Sequence, residues 1–159
     1  MSAILAGTLM GLVATALMDV WALVLNRVAG QNLPNWALVG RWFRHLGEGK
    51  IFHDDIAKAE PYERELALGW IGHYAIGIIY GIVFAILAGP VWLAAPTFLP
   101  AWIFAILTVA AGWFLLQPGL GLGWAASKTA NPGKVRALNL VAHTVFGIGM
   151  WGTALALAP

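Results

Sequence analysis

Five polar side chains interrupt the long apolar runs of this chain: Asp19, His73, Gln117, Asn139 and His143. An Asp or His in such a place can exchange a proton, and a Gln or Asn amide both donates and accepts hydrogen bonds. Each is costly in hydrocarbon, so each needs a partner or a purpose. At a helical rise of about 1.5 Å per residue, all five fall in one half of the layer their runs cross, the inner half by the orientation derived below. Asp19 and His73 reach similar depth on neighbouring antiparallel runs, as do Gln117 and His143. Each pair can set one acceptor against one imidazole.

Three chemistries fit that pattern. The side chains can line a cavity that binds or transports a small solute or a proton, with Gln117-Pro118-Gly119 breaking the third run and freeing carbonyls beside them. They can instead be interhelical hydrogen bonds, each worth about 0.6 kcal/mol, in a structural or accessory subunit of a larger membrane assembly. Small residues at four-residue spacing suit that packing: Gly7 with Gly11, Gly77 with Gly81, and Gly119 with Gly123. Or His73 and His143, with Gly72, Gly77 and Gly147 leaving room, can ligate one haem from both sides. Two histidines are a weak signature, and no other cofactor is implied. Asp19 beside an imidazole has acid–base capacity. No nucleophile motif, phosphate loop or metal triad accompanies it, so the sequence does not point to an enzyme. His53, Asp54 and Asp55 are potential metal ligands in a row. Adjacent residues rarely converge on one ion, and Asp54 or Asp55 suits capping of a helix toward Ala59, so no metal site is expected.

The apolar runs decide the class. The 159 residues are 60% hydrophobic and 10% charged, with a mean hydropathy of +0.78. Soluble domains carry roughly 25% charged residues, so the surplus apolar surface must face lipid. Cysteine is absent, which excludes disulfides, thiolate nucleophiles and thiolate metal sites. A net charge of +2 gives no reason to expect nucleic acid as a partner. Residues 3–28, 66–88, 100–124 and 137–158 are each long enough to span a bilayer, which takes about 20 apolar residues. The expected fold is therefore all-α: a polytopic membrane protein of four transmembrane helices, a four-helix bundle that is alone, homo-oligomeric or part of a larger complex. The first run lacks the basic start of a cleaved signal and reads as a retained helix. Pro61 suits a first helical position for the second span, and Pro90, Pro96 and Pro100 punctuate the turn after it.

Every Lys and Arg lies in or beside the first or third loop. By the positive-inside rule those loops are cytoplasmic and both termini periplasmic. The first loop, 29–65, holds a helical pattern over 35–46. Trp36, Val39, Phe43 and Leu46 form one face, and Arg41, Arg44 and His45 the other. That pattern predicts an amphipathic helix lying in the cytoplasmic headgroup region. LGWIGHYAIGIIYG at 68–81 aligns without gaps with LNLVAHTVFGIGMW at 138–151, matching His73 with His143 and Gly77 with Gly147. The first and third spans align more weakly, with Asp19 over Gln117. The four spans thus read as a parallel duplication of a two-helix unit.

The segments NWALVGRW at 35–42, ALGWIGHYAIGI at 67–78, QPGLGLGWAASKTANP at 117–132 and AHTVFGIG at 142–149 resemble one family of small bacterial proteins. It is the integral inner-membrane family designated domain of unknown function 2938. The resemblance covers nearly the whole chain. It implies a bacterial inner-membrane protein and brings no activity with it.

Overall fold

Ser2 starts the first helix by accepting a hydrogen bond from the Leu5 amide at 3.3 Å. Gly30 ends it in the left-handed conformation, φ +62, with the Gln31 amide returning to the Leu25 carbonyl. Between them runs α1, Ala3–Ala29. A computed structural model describes residues 1–159 and contains four further helices: α2 (Trp36–Gly47), α3 (Glu65–Ala94), α4 (Phe98–Gly119) and α5 (Pro132–Leu157). There are no strands, and the chain is all-α as expected. Four of the helices, α1, α3, α4 and α5, are long and apolar enough to cross a membrane.

The helix ends differ from the sequence expectation in instructive ways. Helix α3 begins at Glu65 rather than Pro61, because the Glu65 carboxylate is held by Arg41 at 2.8 Å and accepts from the Tyr62 amide at 3.4 Å. It also runs past its expected end. Gly89 breaks the helix, with φ +74 and ψ +176, and Pro90 starts a last turn in the place where a missing N–H costs nothing. Helix α4 stops at Gly119 instead of 124, and α5 starts at Pro132 instead of 137, capped by Asn131 accepting from the Lys134 amide at 3.0 Å. The capping expected of Asp54 or Asp55 belongs to Asp55, which accepts from the Ala57 amide at 3.0 Å and opens a single turn, Ile56–Lys58.

The chain divides into two compact units. The first comprises Met1–Leu33, Tyr74–Thr108 and Leu140–Pro159. Its core is Met10 and Met150 among Ala14, Ala101, Ala105, Phe84 and Phe146. The alanines and glycines are what let the helices approach. A Cβ at Gly7 would meet the backbone of Gly81 and Ile82, and one at Gly11 would meet Gly77 and Ile78. Helices α1 and α3 therefore touch backbone to backbone, as small-xxx-small spacing allows. Gly149 sits against Ala14 in the same way. Thr15 is fully buried at this seam and returns its hydroxyl to the Gly11 carbonyl at 2.7 Å.

The second unit comprises Pro34–His73 and Val109–Asn139. Here Gly40 and Gly69 bring α2 onto the first turns of α3, because a Cβ on either would strike the other helix's backbone. The helix expected at 35–46 is present, but one side chain changes face. Arg41, read as part of the polar face, is 8% exposed and points inward.

Replacing Gly77 with Leu should unfold the α1–α3 seam, lowering stability by at least about 2 kcal/mol through overpacking. Gly152, with open space where its Cβ would go, is the control, and Gly152→Ala should leave it unchanged. Thermal unfolding of both variants in detergent decides; equal melting would remove the seam from the account.

Candidate functional site

The last turns of α4 depart from a regular helix. Over Gly112–Leu116 the helix widens by one residue per turn, and the Gln117 amide bonds to the Gly112 carbonyl, five residues back. A proline at 118 has no N–H, and its ring would collide with the Phe114 carbonyl of a regular helix, so a wide turn just before it relieves the clash. The turn brings the Trp113 and Gln117 side chains to one acceptor. Trp113 Nε1 donates to Asn139 Oδ1 at 3.0 Å, and Gln117 Nε2 donates to the same oxygen at 2.9 Å. Two donors on one oxygen fix the orientation of both amides, since flipping either would set donor on donor or acceptor on acceptor. Gln117 Oε1 is then left buried without a donor. Such an atom costs about 1–3 kcal/mol, as much as the two hydrogen bonds beside it return.

Beyond Gly119 the helix carbonyls have no continuing helix to bond, and the first loop supplies the donors. His53 Nδ1 lies 2.9 Å from the Gly119 carbonyl, and the Ile56 amide donates to the Leu120 carbonyl at 3.2 Å. A carbonyl can only accept, so His53 carries its proton on Nδ1. Its Nε2 then meets His45 Nδ1 at 3.0 Å. Gly119 is a glycine because the Trp42 indole occupies the place of its Cβ. Trp42 in turn donates to the Ile51 carbonyl at 2.8 Å. Gly123, expected to pack helices together with Gly119, lies beyond α4 with φ +74 and shapes a loop instead.

Arg41 closes the arrangement. Its Nε and Nη2 grip Glu65 at 2.8 and 3.0 Å, and its Nη1 donates to the carbonyls of Ile56, Ala57 and Ala59 at 3.3, 3.0 and 3.0 Å. The hydrogen bond to Glu65 raises the Arg41 pKa above its already high ordinary value, so the guanidinium is charged at every working pH. Only a planar fork reaches both partners at once.

The remaining expected residues have other neighbours. Asp19 accepts from the Tyr74 hydroxyl at 2.8 Å in the first unit. His143, in the same unit, sets Nδ1 3.0 Å from both the Thr108 hydroxyl and the Ala105 carbonyl, leaving Nε2 as its other ring nitrogen. His73, in the second unit, stacks on Trp36 with centroids 4.0 Å apart. Of the expected set, Gln117 and Asn139 meet directly. The glycines beside His73 and His143 serve packing: a Cβ would meet Phe43 at Gly72, Thr15 at Gly77, and Trp102 with Ala105 at Gly147. Sequence reasoning missed Trp113, whose signal was its four-residue spacing from Gln117, and it missed the inward turn of Arg41.

A family described as "Protein of unknown function (DUF2938)" matches residues 8–157. No curated protein and no solved structure matches the chain.

Removing Arg41 would strand Glu65 and three loop carbonyls, so Arg41→Met should cost about 3–5 kcal/mol. Arg41→Lys should fall between Met and the wild type, having one point charge and no fork. Unfolding in detergent ranks the three; Met melting with wild type would show the clamp carries no stability.

Proposed function

Since the chain belongs to the DUF2938 family, whose description carries no activity, we propose its function from its geometry: it is a bacterial inner-membrane protein that binds a small solute bearing a hydrogen-bond donor at the broken end of α4. The observation that carries this reading is Gln117 Oε1, a buried acceptor held in place by Trp113 and Asn139 and given no donor by the protein. In a lipid environment water does not satisfy such a group freely, and a solute N–H or O–H would. Indole and carboxamide groups do not ionise at working pH, so the cluster suits recognition rather than acid–base catalysis. A proton or hydroxonium passing along hydrogen-bonded groups is the smallest solute of this kind.

Membrane insertion is supported by the family, by four helices of spanning length, and by large apolar side chains left outward, such as Leu87 and Val91 at 72% and 84% exposure. The orientation rests on charge. Lys and Arg sit in or beside the first and third loops, which favours those loops on the cytoplasmic side and both termini on the periplasmic side. On this orientation α2 lies at the inner headgroup level, with Arg44 facing water and Arg41 turned into the protein.

Two experiments test the proposal. The chain has no cysteine, so single cysteines report cleanly. An impermeant maleimide should label Ala95→Cys in intact cells and Glu60→Cys only after the cells are opened; the reverse would overturn the orientation. For the site, native mass spectrometry of protein purified in mild detergent should find a retained small molecule in the wild type and none in Gln117→Leu. The variant should melt no lower than wild type, because it removes an unpartnered carbonyl. If the wild type carries nothing and Gln117→Leu is destabilised by about 2 kcal/mol or more, the cluster is packing alone.

A further inference from the structure

The second unit contains a cavity of about 720 Å³ whose walls come from the first loop and from the segment after α4. That volume is far larger than a bare ion and falls within the range of about 300–1,000 Å³ used by organic ligands. It shares no residue with the Trp113, Gln117 and Asn139 cluster, so its assignment does not rest on that site.

The walls carry Lys50, Lys58 and Lys128 against Asp54 and Asp55. Asp55 is already engaged, one oxygen capping the Ala57 amide and the other 3.7 Å from Lys58 Nζ. Lys50 and Lys128, one from each wall, make no ion pair. Two uncommitted ammonium groups across one cavity ask for an anion. Asp54 adds a carboxylate that repels a second anionic group but accepts from hydroxyls. Phe52 and Trp124, both more than half exposed and 6.5 Å apart, add an apolar patch for a carbon skeleton. His53 has both ring nitrogens occupied, by the Gly119 carbonyl and by His45, so it shapes the wall. Gly121, at φ +88, keeps the walls together where a Cβ would strike the Asp54 carbonyl.

We propose that this cavity binds a phosphate ester carrying free hydroxyl groups. Lys50 and Lys128 hold the phosphate, Asp54 accepts from a hydroxyl, and Phe52 with Trp124 covers the carbon chain. A glycerol-type phosphate has this chemistry whether it is the headgroup of an anionic phospholipid or a soluble ester.

The test uses the full chain with two probes. In one arm, protein in nanodiscs of phosphatidylcholine with or without phosphatidylglycerol is released into a mass spectrometer and its retained lipids are counted. In the other, protein in phosphatidylcholine alone is titrated with glycerol 3-phosphate by calorimetry. Selective retention of phosphatidylglycerol identifies the lipid source, and saturable glycerol 3-phosphate binding identifies the soluble one. In either case Lys50→Gln with Lys128→Gln should weaken binding at least tenfold, and Lys134→Gln, outside the cavity, should leave it unchanged. The proposal is overturned if the wild type takes neither probe, or if the double variant binds as well as wild type. It is also overturned if Lys134→Gln weakens binding equally, since that would mark general surface charge. The double variant should melt with the wild type, and each single variant, Lys50→Gln or Lys128→Gln, should weaken binding less than the double, so misfolding is separable from loss of the site.

Discussion

A helix that ends among apolar neighbours must place its last carbonyls somewhere, and α4 ends early. Pro118 removes an amide, the wide turn ahead of it shifts the ladder, and Gly119 and Leu120 present carbonyls with no further turn to receive. The first loop answers through His53 and the Ile56 amide. Once Ile56 is fixed, the carbonyls of Ile56, Ala57 and Ala59 line up for one guanidinium, and Arg41 joins them to Glu65 at the head of α3. The loop, α2 and the start of α3 thus inherit their places from one interrupted span.

The two units pack their polar groups differently. In the first, glycines bring backbone against backbone, and Thr15, packed on Gly77, satisfies itself on its own helix. Asp19 with Tyr74 and His143 with Thr108 are pairs of the kind that holds helices together, at about 0.6 kcal/mol apiece. The accounting does not close in either unit: Trp21 Nε1 and Trp92 Nε1 in the first, and the Tyr62 hydroxyl and Gln117 Oε1 in the second, are buried without a partner. Trp113 and Gln117 both spend donors on Asn139, and Gln117 Oε1 gains nothing. Of these atoms Gln117 Oε1 is the one acceptor on an amide whose other end is fixed by a hydrogen bond, which makes it the better candidate for binding.

The four spans were legible because length and apolarity are one-dimensional properties. So was the importance of Gln117 and Asn139, whose polarity is anomalous wherever the helix faces. Rotation was not legible. Arg41 shares a helix with Arg44 and His45 and reads as part of a wet face; the pattern cannot show that the chain folds back over it as Ile56–Lys58. Pro61 looked like a helix start because local rules favour it, and a long-range contact from Arg41 to Glu65 moved the start four residues on. Gly119 and Gly123 looked alike at helical spacing until the helix ended between them. The His53 contact with Gly119 spans 66 residues of sequence, and no local signal announces it.

Backbone hydrogen exchange across Ile56–Ala59 tests most directly whether the first loop is held by the broken end of α4. Their amides bond to Leu120, Asp55 and Ile56 although Ala57 and Lys58 are exposed. They should exchange far more slowly than free chain in the wild type. In Gly119→Val, which displaces Trp42 from the helix end and leaves the residues of Ile56–Ala59 unchanged, they should exchange at nearly the free rate. Equal protection in both proteins, or none in either, would contradict the dependence of the loop on that helix end.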